Sequence, residues 1–63
     1  MKLRICEQRK RAGWTQAELA RRLGITIHSV CESEKRTDMK LSTLRKYAVA
    51  IGCHWRDLLP LDS

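Results

Sequence analysis

Residues 15–36 constrain this chain more than any other part of it, because they spell two short helices around a turn. Thr15 is a side-chain acceptor ahead of a helical pattern, and Glu18 stands three residues later, which is the spacing of a capping box. Leu19, Ala20 and Leu23 then share one apolar face. Gly24 falls where that pattern stops, and glycine takes the left-handed conformation that ends a helix without a Cβ penalty. Ile25 is expected to plug the turn into the core, and Thr26 to cap a second helix over about 27–35 that buries Val30. Ala20 supplies the small side chain that two helices need when they meet steeply over so short a turn. This is a helix-turn-helix pattern.

The rest of the chain reads as its support. A first helix is expected over 2–12, with Ile5, Arg9 and Ala12 on one stripe and Cys6 beside it. Gly13 stops it, and Trp14 packs the following turn. After a polar connection over 36–40, the stripe of Leu41, Leu44, Ala48 and Ile51, with Tyr47 alongside, marks a fourth helix ended by Gly52. A short last helix over about 54–59 carries Trp55, Leu58 and Leu59 before Pro60 stops it. The expectation is an all-α, compact five-helix domain spanning 1–63, with the helix-turn-helix at about 16–35.

Sixty-three residues leave room for one domain and little for an enclosed active site. His28 and His54 have no nucleophile or carboxylate arranged around them, so no enzyme and no cofactor are expected. Cys6, Cys31 and Cys53 contain no CxxC pair, and neither His28 with Cys31 nor Cys53 with His54 has structural zinc spacing. They are read as reduced, space-filling thiols, with no metal. No apolar run approaches the roughly 20 residues of a membrane span, and charges break the first residues, so a cytoplasmic address is expected. Thirteen Lys and Arg against seven acids give a formal charge of +6, which suits a polyanion partner.

Helical geometry turns Val30 inward and His28, Glu32 and Lys35 outward, with Ser29 and Cys31 on the flanks. The outer face of the third helix is therefore polar and chemically varied. Ile27, Ser33 and Glu34 lie toward the buried side, and the last two are odd there for plain packing. A carboxylate there needs a partner, and Arg9 on the inward stripe of the first helix is the expected one.

Residues 13–20, the Gly24-Ile25-Thr26 turn, and Gly52 followed by Asp57-Leu58-Leu59 resemble the Cro/CI-type (Xre) helix-turn-helix family of phage and bacterial regulators. The resemblance covers nearly the whole chain and rests on many spacings at once. It implies a lambda-repressor-like fold that binds double-stranded DNA as a homodimer on an inverted repeat, with helix 27–35 in the major groove. Ile27, His28 and Glu32 would then face base edges, with Ser29 and Lys35 as additional contacts. Ile27 suits a thymine methyl, His28 a purine N7, and Glu32 a cytosine amino group. Packing of Ile27 on Trp14 or Ile25, and a merely solvated Glu32, are the competing readings.

Gln16 resembles the family's phosphate-binding glutamine. Arg9 or Lys10, Lys35, Arg36 and Lys40 would surround the same face, while Arg21, Arg22, Arg45 and Lys46 read as ordinary solvated charges. Arg36 departs from a position where the family often has glycine. A dimer seam is expected from Trp55, Leu59 and Leu61, with intramolecular packing as the alternative. Residues 34–44 resemble a subgroup that includes toxin-neutralising antitoxins, which makes a protein partner such as a toxin the second reading. Within these 63 residues no toxin-gripping extension of the usual kind is expected.

Overall fold

A computed structural model of the chain describes residues 2–60, and among them there are four α-helices and one 3₁₀ turn. The helices are α1 (Ile5–Arg11), α2 (Gln16–Leu23), α3 (Ile27–Glu34) and α4 (Leu41–Ile51); the 3₁₀ turn is Trp55–Leu58. The expected fifth helix is thus a single tighter turn, a minor correction to the helix count.

The first helix starts three residues later than its pattern suggested. Arg4 precedes it without a side-chain cap. The amides of residues just before it are spent elsewhere: Leu3 N donates to Arg36 O at 3.1 Å, and Arg4 N to Leu58 O at 2.8 Å. Those two bonds tie the beginning of the chain to the exit of α3 and to the last turn. Leu3 itself is buried.

The helix-turn-helix forms as its residues dictate. Thr15 Oγ1 accepts from Glu18 N at 3.1 Å and Glu18 Oε1 accepts from Thr15 N at 3.0 Å, a reciprocal capping box. Gly24 closes α2 at φ 71°, and its successor's amide donates to Ala20 O at 3.0 Å. Any L-residue at that φ is strained. Thr26 Oγ1 then accepts from Ser29 N at 3.1 Å and caps α3.

Ile5, Leu19, Val30 and Leu58 are the largest side chains fully withdrawn from solvent, one from each of α1, α2, α3 and the 3₁₀ turn. Leu44, Tyr47, Ala48, Ala50 and Ile51 of α4 close the core around them. Three apolar expectations are corrected. Ile25 is 38% exposed because its backbone, not its side chain, closes the turn. Leu41 is 44% exposed, since it opens α4 beyond the core edge, and Met39 packs against the core there instead. Ala12 ends α1 in solvent.

Ser33 is explained by Tyr47: the two hydroxyls lie 2.6 Å apart, giving each a partner at the α3–α4 contact. Arg22, read from sequence as a solvated charge, is exposed but structural as well. Its guanidinium lies 3.9 Å from the Trp14 ring centroid, and its Nη1 donates to Ala50 O at 3.1 Å. It fastens α2 to both the α1–α2 turn and α4.

Candidate nucleic-acid interface

Helix α3 is held by a three-residue polar network. Arg9 Nε donates to Glu34 Oε2 at 2.6 Å, and Gln16 Nε2 donates to Glu34 Oε1 at 2.9 Å. Arg9 Nη1 also donates to Trp14 O at 2.7 Å, and Nη2 lies 3.5 Å from Cys6 Sγ. The side chains of Arg9 and Glu34 are only 9% and 8% exposed, so the ion pair sits in a low-dielectric site with its other donors satisfied. The hydrogen bond to Glu34 pushes the Arg9 guanidinium above its usual range. One carboxylate near the end of α3 thereby fixes α1, the start of α2 and α3 relative to each other. The sequence pointed to Arg9 and Glu34, but not to Gln16 as the third member; a polar residue at the start of α2 gave no sign of an inward partner.

This network corrects one expectation. Arg9 is buried and its guanidinium is committed to protein acceptors, so it is not presented to a phosphate. Of the pair Arg9 or Lys10, Lys10 is the exposed one.

The outer face of α3 is open. His28, Glu32 and Lys35 are exposed, Ile27 is 51% exposed, and Ser29 is half-buried beside its cap. Ile27 opens the helix with about half of its surface in solvent, so it is not a core residue. Val30 on the opposite face is fully buried, which fixes the rotation of the helix and hence which side chains project. Lys35 Nζ lies 3.7 Å from Glu32 Oε2, an exposed pair with about half or more of each side chain in solvent. Such a pair contributes little to stability, and the two groups can separate at small energetic cost.

Cations and donors flank this face. Lys10, Arg36 and Lys40 are exposed, and Gln16 is half-buried at the first position of α2. Arg36 Nε reaches Asp38 O at 3.4 Å, and Lys40 precedes α4 without a side-chain cap. The first amides of a helix carry no intrahelical acceptor and favour anions.

At the far end, Trp55 is half-buried against the core, with Arg56 5.6 Å from its ring centroid, and Leu59 is 36% exposed. Leu61 lies outside the described residues. His54 Nδ1 accepts from Arg56 N, and Asp57 Oδ2 accepts from His54 N, so His54 is a cap. The thiols of Cys6, Cys31 and Cys53 are free, and burial pushes the Cys53 thiol up. No group of three or more metal-ligating side chains occurs among the described residues, and no helix among them is long and apolar enough to cross a membrane.

A capped pair of short helices, the second buried on one side and polar on the other, defines a helix-turn-helix domain. The family model of the Cro/C1-type HTH DNA-binding domain matches residues 4–62, and the chain belongs to that family. No curated protein and no solved structure matches the chain significantly.

Proposed function

We propose that this chain is a sequence-specific transcriptional regulator acting as a repressor, which blocks polymerase by occupying a double-stranded operator in the cytoplasm. The observation that carries the reading is the outer face of α3: His28, Glu32 and Lys35 are exposed together opposite a fully buried Val30, with Ile27 half exposed at the start of the helix. In the major groove, Ile27 meets a thymine methyl, His28 donates to a purine N7 and Glu32 accepts from a cytosine amino group, with Ser29 and Lys35 beside them. Glu32 sharpens selection in a second way. A carboxylate near phosphates is repelled everywhere except where a base amino group compensates it.

Lys10, Gln16, Arg36 and Lys40 hold phosphates and set the register without reading sequence. The Arg9–Glu34–Gln16 network supports this division of labour, because it locks the phosphate-binding start of α2 to the base-reading helix. A homodimer paired through Trp55, Leu59 and Leu61 places two copies of α3 about one helical turn apart on an inverted repeat.

Selection of bound duplexes from random DNA, followed by affinity against salt, tests this reading. The expected result is an inverted repeat and a log–log salt slope of about −5, from three phosphate-binding cations on each protomer. Equal affinity for any duplex would overturn it. An exposed groove away from α3, aliphatic at its floor and flanked by cations, favours a second reading, in which the domain also engages a protein partner.

A further inference from the structure

The most exposed large hydrophobic side chain among the described residues is Val49, at 80%, and nothing in the DNA reading uses it. It stands four residues after Arg45 and three after Lys46, so all three share the outer face of α4. Beside them an open groove of about 560 Å³ runs between α2 and α4, lined by Arg22, Leu23, Arg45, Lys46, Val49 and Ala50. Its floor is aliphatic, three of its walls are cations, and no acid lines it. Arg22 is held in place by its stack on Trp14 and its bond to Ala50 O, so part of the charge is preorganised.

The groove is set back from the DNA-facing ends of both helices. Arg22 lies six residues beyond Gln16 along α2, about 9 Å, and Val49 nine residues beyond Lys40, about 13 Å. Self-pairing through this face would bring three cations of one copy against the same three of another, in a chain already at +6. That disfavours a second copy as its occupant.

We infer that the α2–α4 groove docks an acidic amphipathic segment of a partner protein, its aliphatic side chain seated beside Val49 and its carboxylates paired with Arg22, Arg45 and Lys46. Such a segment can be bound while α3 is on DNA, because the two faces share no residue. The groove thus gives the domain a second, independent contact, suited to recruiting or neutralising an acidic partner. The inference is separate from the operator reading and survives its failure.

The test uses the full ¹⁵N-labelled chain and two helical peptides of about 16 residues, long enough to hold a helix. One has a leucine seam flanked by glutamates; the other carries lysine at each glutamate position. The expected result is that the glutamate peptide binds at least about tenfold tighter than the lysine peptide, with amide shifts confined to residues 22–23 and 45–50. Val49→Ser should weaken it about tenfold, and Arg45→Glu with Lys46→Glu should reverse the preference between peptides. These positions are exposed on α4, so unchanged thermal unfolding of each variant verifies the fold. Equal binding of both peptides, shifts on the outer face of α3, or indifference to Val49→Ser would overturn the inference. So would a random duplex or anionic vesicles moving the same amides independently of Val49, which would make the patch a general polyanion site.

Discussion

The network that joins Arg9, Glu34 and Gln16 gives the sharpest stability prediction. Replacing Arg9 with Met keeps the stem but leaves the buried Glu34 carboxylate with one neutral donor, Gln16 Nε2, and strips Trp14 O of its side-chain donor. Replacing Glu34 with Leu leaves the Arg9 guanidinium nine-tenths buried without its anion. Breaking a buried pair from one side costs about 3–5 kcal/mol, chiefly through the charge left behind. A domain this size has only about 3–9 kcal/mol in total, so each single variant is expected at or near the edge of folding. At roughly 4–8 °C per kcal/mol, each lowers Tm by at least about 12 °C. The double variant removes both charges and should lose less than the sum of the singles, by about 2–3 kcal/mol of coupling. Urea unfolding followed by circular dichroism at neutral pH measures all four corners of the cycle. Additive losses, with coupling under about 0.5 kcal/mol, would refute the claim that these charges stabilise one another.

Two further effects follow from caps and hydroxyls. The amide of Thr15 and its hydroxyl hold Glu18 below the usual carboxylate range of about 4.5, so the unfolded chain takes up the proton first. The stability this group contributes is therefore present above about pH 4.5 and lost as pH falls through its lowered folded value; Glu18→Gln should flatten that part of the acid-unfolding curve. Tyr47→Phe should cost about 1 kcal/mol by leaving the Ser33 hydroxyl without its partner, and adding Ser33→Ala should cost little more. Chemical denaturation of the two variants, read side by side, distinguishes that coupling from independent packing losses.

Much of the helix-turn-helix was legible in the residues because its signals are local. Thr15 with Glu18, Gly24 and Thr26 each fix a backbone position within a turn of themselves, and the fold follows them. What escaped reading depends on which element lies opposite. Leu41 fits the α4 stripe, yet helical phase alone cannot show that the core begins one turn later, at Leu44. Arg22 reads as a surface charge until Trp14 is seen beneath it and Ala50 O beside it. The later opening of α1 has the same cause, since the acceptors of the Leu3 and Arg4 amides, Arg36 O and Leu58 O, are remote in sequence. In the interface, periodicity marks His28, Glu32 and Lys35 as outward but turns Ile27 toward the core, where its place at the helix start leaves it half exposed; the inward commitment of Arg9 requires knowing where the Trp14 carbonyl points.

The central claim is that the exposed face of α3 reads bases, and Glu32 tests it most directly. Affinities of the native chain and of Glu32→Ala are compared on the selected operator, on operators changed at each single base pair, and on a random duplex. If Glu32 accepts from a cytosine amino group, the variant loses about 1–3 kcal/mol of discrimination at one base pair in each half-site and keeps its preferences elsewhere. Unchanged discrimination at every position, with affinity altered alike for all duplexes, would contradict the account.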